Sequence, residues 1–384
     1  MAARRKKPPP PRVDPEFDRR VMAAALRLGR RNLGHTASNP AVGCVVVAGE
    51  GNGGATVVGR GWTAVGGRPH AEKVALKEAG AKARGATAYV TLEPCAHEGR
   101  TKSCTRTLIE AGVGRVVTAM TDPDPRTDGK GHAALAEAGI MVTTGVLAEA
   151  AALAHAGHVA RITKGRPHVA LKLAISADGM IGRRVGERMI ITGKPAFDAV
   201  QATRTTFDVV MIGIGTVLVD DPRLTVRLPG LTDRSPARVI LDAEVRLPLD
   251  SKLVQSARQT PLFAAVGPDA PPERKSALAA AGVTLIEVGA GSGGLDLDAV
   301  LGALCGRGFT RVLVEGGAQV AASLIAGDLV GEVILLRAPV VVGADGVRAL
   351  AGMALSAIER SPRYCLIETV RVGDDQMRRY VRAG

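Results

Sequence analysis

His70-Ala71-Glu72, followed by Pro94-Cys95 and then Cys104, puts an imidazole, a carboxylate and two thiols in one stretch of chain. One imidazole and two thiolates supply three of the four ligands of a tetrahedral zinc site and leave the fourth position for water, as a hydrolytic centre requires. His70, Cys95 and Cys104 are therefore the expected zinc ligands. Glu72 lies two residues past the histidine, where it can stand beside the water without binding metal and shuttle its proton. Glu72 is the expected catalytic acid and base.

The elements that must carry these residues follow from hydrophobic periodicity. Residues 17–34 read as a helix with Val21, Ala25, Leu26 and Leu28 on its apolar side, and residues 42–48 as a buried strand. Helical spacing over 71–83 puts His70 and Glu72 at a helix N-terminus, and a strand over 89–92 ends just before Pro94. A second helix is predicted from Cys104 to Ala111, stopped by Gly112, and another strand over 116–120. The alternation predicts a mostly parallel sheet covered on both faces, with thiolates near the positive ends of helix dipoles. An Ala-rich helical stretch over 146–158 leads to Lys164-Gly165-Arg166-Pro167, a linker signal, and then to a strand over 168–175 that opens a second domain. Later, a strand ending in Glu315-Gly316-Gly317 opens directly into a helix over 318–326, where unpaired backbone N–H groups can take a pyrophosphate. The usual Gly-x-Gly-x-x-Gly fingerprint is missing.

Composition sets outer bounds. A chain of 384 residues suits two ordinary domains, and no apolar run approaches the ~18 residues of a membrane span. No secretory signal is visible and the five cysteines are odd in number, so a reducing, cytoplasmic setting is expected, with Cys44, Cys305 and Cys365 as buried small hydrophobes. The net charge of +13 raises the question of nucleic acid. Residues 1–20 alone hold seven basic against three acidic residues, in a Pro-rich arm expected to be disordered. One Trp, three Tyr and five Phe provide few stacking platforms, so no nucleic-acid partner and no membrane partner is expected.

The order His-x-Glu, then Pro-Cys, is that of zinc base deaminases, except that eight residues separate Cys95 from Cys104. With that insert, Pro94-Cys95-Ala96-His97-Glu98-Gly99-Arg100-Thr101-Lys102-Ser103-Cys104 resembles the loop of the bifunctional riboflavin-biosynthesis deaminase/reductase family. Ser176-Ala177-Asp178-Gly179, Gly213-Ile214-Gly215-Thr216, Asp220-Asp221-Pro222-Arg223-Leu224-Thr225-Val226-Arg227 and Val312-Leu313-Val314-Glu315-Gly316-Gly317 carry the resemblance through the second half, over about residues 15–384. It implies an α/β protein: a basic arm over 1–15, a zinc cytidine-deaminase-like three-layer domain over 16–150, a linker over 151–165 and a dihydrofolate-reductase-like domain over 166–384. It further implies that Asn39 bonds the pyrimidine and that His97 and Arg100 hold the substrate's ribose phosphate. Ala174, Ile190, Thr216, Asp220 and Gly317 would touch NADPH, while Arg188, Arg204, Leu224, Arg227 and Glu315 would face the reductase substrate.

The implied activity is zinc-dependent deamination of a phosphoribosylamino-pyrimidine, then NADPH-dependent reduction of its ribosyl group to ribityl, by a homo-oligomer acting on a small phosphorylated pyrimidine. Departures from the family pattern are Ser38, Ala41, Lys102, Ser103, Asp124 where Asn is frequent, Arg188, Ile190 where Trp is frequent, and Ala243. Two other readings stay open: a deaminase whose second domain only supports assembly, and a nucleic-acid deaminase or binding protein using the basic arm.

Overall fold

The structure is a computed structural model that describes residues 14–49, 54–99, 102–183, 189–291 and 294–383. The chain falls into two compact units that divide between Lys164 and Gly165. Within the first, the strands β1 (Gly43–Ala48), β2 (Thr56–Trp62), β3 (Thr87–Val90), β4 (Arg115–Thr118) and β5 (Met141–Thr143) form one sheet in the order β2-β1-β3-β4-β5. Helices α2 (Ala71–Ala79), α3 (Cys104–Ala111) and α4 (Lys130–Glu137) pack on one face through Ala75, Leu76, Leu108 and Leu135. Helices α1 (Pro15–Gly29) and α5 (Ala148–Ala154) pack on the other through Met22, Ala25, Leu26 and Ala151, completing three layers.

The sheet is mixed rather than mostly parallel: β1 is antiparallel to both neighbours, and only β3-β4-β5 run parallel. The difference comes from β2, whose Gly59 and Gly61 weaken a strand signal. Both glycines are demanded by α2, since a Cβ on Gly59 would lie 2.1 Å from the Ala75 carbonyl oxygen and one on Gly61 2.0 Å from that of Ala71.

The stretch 146–158 is two helices, α5 and α6 (Ala156–Lys164), broken at His155, whose imidazole reaches the carbonyl and hydroxyl of Thr91. Most of the predicted linker, residues 151–165, is therefore helix. It is held to the first unit by His158, which bonds Asp122 at 2.8 Å. Of the basic arm, residues 1–13 lie outside the described residues, and Asp14 caps α1 by accepting from the N–H groups of Glu16 and Phe17.

In the second unit the sheet order is Thr284–Glu287, Leu262–Val266, Ala237–Leu241, Val209–Gly213, Arg311–Glu315, His168–Ile175, Glu332–Arg337, Asp375–Arg382 and Tyr364–Val372. The first seven are parallel and the last two antiparallel. The five central parallel strands are mostly apolar and nearly fully buried, as strands covered on both faces must be, with their charged residues chiefly at the strand ends. Cys44 is buried, but Cys305 is half-buried and Cys365 exposed, because Cys365 sits on the outermost strand of this sheet. Among the described residues no helix is long and apolar enough to cross a membrane.

One ionic contact ties the first unit together. The Arg115 guanidinium, fully buried on β4, donates to both oxygens of Asp18 on α1, at 3.0 and 2.6 Å, and the Tyr89 hydroxyl of β3 donates to the same carboxylate at 2.8 Å. Removing one partner of such a pair strands the other charge away from water. Asp18→Ala is expected to cost the first unit about 3–5 kcal/mol. Denaturant unfolding followed by the fluorescence of Trp62, the chain's single tryptophan, measures it; a loss under about 1 kcal/mol, the size of an exposed pair, would contradict this.

Candidate active sites

Three chain segments bring the predicted zinc ligands to one point. His70 is the N-cap of α2, Cys104 is the first residue of α3 behind its N-cap Ser103, and Cys95 lies in the turn after β3. Their ligand atoms all lie within 4.8 Å of one another, with His70 Nδ1 3.3 Å from Cys104 Sγ and 3.8 Å from Cys95 Sγ. The Cys104 backbone N–H points at Cys95 Sγ at 3.3 Å, and the Thr105 hydroxyl donates to the carbonyls of Pro94 and Cys95, locking the start of α3 onto the cysteine turn.

Hydrogen bonds from the Cys104 thiol, from His70 and from the Cys104 backbone hold the Cys95 thiol down to about 4, while its bond to Cys95 and burial push Cys104 up. The bond to Cys95 raises the imidazole of His70. Two sulfurs this close share a proton, and a cation is what lets both carry charge. One nitrogen and two sulfurs form a donor set that suits zinc. Glu72, 3% exposed, sits at the second residue of α2, and burial followed by the charge on Cys95 raises its carboxyl above the ordinary value.

Asn39 is set in a turn where its backbone exchanges hydrogen bonds with Thr36, and its side-chain amide lies against Gly67, where a Cβ would come within 2.3 Å of Nδ2. That places Asn39 beside the loop leading into His70. His97 is half-buried two residues past Cys95. Arg100 lies outside the described residues. The part the sequence reading passed over is Glu93: its buried carboxylate accepts from the N–H groups of Asp122, Gly129, Gly131 and His132 at 3.1, 3.0, 2.9 and 3.2 Å. It thus anchors the segment 122–132 against the cysteine turn and caps α4. The signal for it was a carboxylate in an otherwise apolar approach to Pro94.

In the second unit a cleft of about 1920 Å³ opens at the carboxyl ends of the central strands. It is lined by Ala174, Ile190, Thr216, Asp220 and Gly317 of the predicted cofactor set and by Arg204, Leu224 and Glu315 of the predicted substrate set. Arg188 lies outside the described residues. Arg227 is exposed, with its guanidinium 5.4 Å from the ring centroid of Phe197, which lines the cleft. Arg204 lines the cleft, yet it donates to both oxygens of Glu315 at 2.5 and 3.0 Å and to the Thr225 carbonyl at 2.9 Å. Its first task is therefore to hold Glu315 and the 221–227 loop. That loop keeps two non-glycine residues in the left-handed region, Asp221 at φ 38° and Leu224 at φ 55°. Buried Leu224 and the bond from the Lys252 N–H to Asp221 pin it.

Lys172, missed in the sequence, is the register partner of Glu315, with Nζ 3.8 Å from its carboxylate, and it also lines the cleft. Burial lowers the Lys172 ammonium. Burial also works against charge on Glu315, but Arg204 and Lys172 more than offset it and keep the carboxyl below its ordinary value. A lysine in the apolar strand His168–Ile175 was the available clue.

Two family models match the chain: the cytidine and deoxycytidylate deaminase zinc-binding region over residues 15–120 and the RibD C-terminal domain over residues 167–376. Among relatives, the riboflavin biosynthesis protein RibD of Aquifex aeolicus is 35% identical over 360 residues, covering 94% of this chain and 97% of that protein. RibD of Escherichia coli is 37% identical over 372 residues, covering 93% and 97%. Among solved structures, Acinetobacter baumannii RibD superposes with a TM-score of 0.83 at 34% identity, covering 97% of this chain and all of that one. A diaminohydroxyphosphoribosylaminopyrimidine deaminase/5-amino-6-(5-phosphoribosylamino)uracil reductase from Thermotoga maritima superposes at 0.81 with 30% identity, covering 96% and 99%.

Because Glu93 holds the segment beside Cys95, Glu93→Ala is expected to lower zinc affinity by about tenfold or more, the size of effect seen when a residue supporting a metal ligand is lost. Competition with a chromophoric chelator measures it, and an unchanged affinity would contradict the assignment.

Proposed function

Because the chain belongs to the RibD family of bifunctional riboflavin-biosynthesis enzymes, we propose that its first unit deaminates 2,5-diamino-6-(5-phosphoribosylamino)pyrimidin-4(3H)-one. The second then reduces 5-amino-6-(5-phosphoribosylamino)uracil at its ribosyl group. The observation that carries the deaminase half is the convergence of one imidazole and two thiols beside a buried carboxylate. His70, Cys95 and Cys104 would hold zinc, which supplies the Lewis acidity that makes water nucleophilic near neutral pH.

Glu72 takes the proton from the attacking water and returns it to the departing amine, so that the C–N bond breaks and ammonia leaves. Buried in the first turn of α2 beside the ligand set, its carboxylate is placed both to accept and to give a proton. Asn39 orients the pyrimidine from the loop ahead of His70, and His97 and Arg100 meet the phosphorylated arm.

The reductase cleft suits a dinucleotide. It is large enough for cofactor and substrate together, Gly316 and Gly317 keep its floor free of side chains at φ 102° and 87°, and Gly317 caps a nine-residue helix, Ala318–Ala326, at the cleft wall. Thr216, Asp220, Ala174 and Ile190 would complete the cofactor wall, and a bound nicotinamide supplies the hydride.

Reduction to ribityl adds hydride to the sugar's first carbon and opens its bond to the ring oxygen, which must then gain a proton. Half-buried Lys172 and buried Glu315, a titratable pair on the cleft wall, hold one there. Leu224 lines the substrate side, and by their match to the family motif Arg227 and Arg188 would serve the same substrate.

At the other side, Arg246 lines the cleft beyond Ala243, in ion pairs with Asp242 and Glu244 at 3.7 and 3.6 Å from its Nε that are too long for hydrogen bonds. Asp242 is fully buried and accepts from the Leu247 N–H. A guanidinium in the cleft with the strand-end carboxylate buried favours a 2′-phosphate over a free 2′-hydroxyl, hence NADPH over NADH.

Two outcomes test these assignments. Glu72→Gln should keep zinc and fold while losing deamination by about 10²-fold or more, as expected for a removed general acid–base; near wild-type ammonia release would refute the role. Arg246→Gln should weaken NADPH binding, read by nucleotide fluorescence, by about tenfold while leaving NADH binding little changed, given the strength of a charge-assisted phosphate contact. Equal weakening of both would remove Arg246 from the 2′-phosphate.

A further inference from the structure

Asp124 is an acid in the Asp122-Pro123-Asp124-Pro125 loop, in the place where a neutral amide is frequent, and a carboxylate repels a phosphate. The structure gives that charge a fixed partner. Arg126 donates from Nε to Asp124 Oδ1 and Oδ2 at 2.9 and 3.1 Å and from Nη2 to Oδ2 at 2.5 Å, and its backbone N–H donates to Oδ1 at 3.0 Å.

The pair is asymmetric: the Asp124 side chain is 6% exposed and that of Arg126 63%. An ordinary surface ion pair leaves both ends in water and contributes little. Here the anion is inside and the cation outside. Asp124 is held further by its own N–H, which donates to Asp122, which in turn bonds buried His158. Arg126 keeps its acid fully ionised, down to about 2.

The loop itself is fixed beside the zinc ligands, because Glu93, two residues ahead of Cys95, accepts from the N–H groups of Asp122 and Gly129 at its two ends. Asp124 engages Nε–H and one Nη2–H, and a guanidinium has five such donors. Three remain on the exposed edge, in the fork that matches a phosphate. The Lys130 ammonium, bonded to the Pro125 carbonyl at 2.7 Å, adds a second positive charge to the same loop.

We propose that Asp124 acts as a buried holder that presents Arg126, and that Arg126 is a specificity-determining residue of the deaminase, reading the phosphate of the substrate's ribosyl arm. This rests on the deaminase reading of the first unit and adds to it a phosphate contact from the 122–129 loop, a segment separate in sequence from the cysteine motif. The acid in the Asp-Pro-Asp-Pro loop is then no obstacle to an anionic substrate, since it reaches the substrate only through a cation.

The test compares the phosphorylated diaminopyrimidine with its dephosphorylated ribosyl counterpart, by ammonia release, in zinc-loaded wild type, Arg126→Gln and Arg126→Lys. The ratio of kcat/KM for the phosphorylated over the dephosphorylated compound should fall about tenfold in the Gln variant, the order expected for a lost charge-assisted contact, and recover partway in the Lys variant. Inorganic phosphate should inhibit the wild type competitively and the Gln variant more weakly. A ratio unchanged in Arg126→Gln, or lost zinc with both compounds affected equally, would reduce the pair to a loop-stabilising contact and overturn the inference. No ammonia release by the wild type would instead strike the deaminase reading itself.

Discussion

Helix α2 lies against β2 so closely that neither Gly59 nor Gly61 has room for a side chain, and the deaminase site depends on that approach. His70 caps this helix and Glu72 sits in its first turn, so the distance between helix and sheet sets where the imidazole and the carboxylate stand relative to Cys95 and Cys104. Both cysteines are fixed from the other side, through Thr105 and the backbone of α3. A larger residue on β2 would have to push α2 outward and take two of the four chemical groups with it. Packing at Gly61 and chemistry at His70, nine residues later, are thus one constraint.

The second unit solves a comparable problem with charge. Lys172 and Glu315 are neighbours in a parallel pair of buried strands, where an isolated charge would be costly. Arg204, reaching in from the end of the helix Lys194–Arg204, makes the carboxylate affordable and also carries the Thr225 carbonyl, so one guanidinium links the strand end to the 221–227 loop. The ionic group is retained on the wall of the cleft. In the first unit the buried pair Asp18–Arg115 instead joins helix and sheet.

What was legible in the sequence and what was not follow a physical division. The convergence of His70, Cys95 and Cys104, α3 and the strand His168–Ile175 were legible because metal spacing, a Ser cap with a Gly stop, and an apolar run are all local signals. Strand β2 was not, since its glycines answer to a helix that only tertiary structure brings there. The break at His155 and the helical character of 156–164 depend on bonds to Thr91 and Asp122, far away in sequence. Arg204 was assigned to substrate from its motif position, and its commitment to Glu315 appears only when the two strands and the helix are assembled. Lys172 was legible in principle, as a charge inside an apolar strand, and was passed over. The family comparisons bear out the overall reading, a deaminase half followed by a reductase half.

The central claim is that both halves work, in order, on one substrate. The most direct measurement follows ammonia release and NADPH oxidation together in zinc-loaded protein supplied with the diaminopyrimidine substrate. The account predicts ammonia first, then NADPH oxidation after a lag, ending at one NADPH consumed per ammonia released, and no NADPH oxidation when Glu72 is replaced. Ammonia release with no NADPH oxidation would contradict it by leaving the second unit without its reaction.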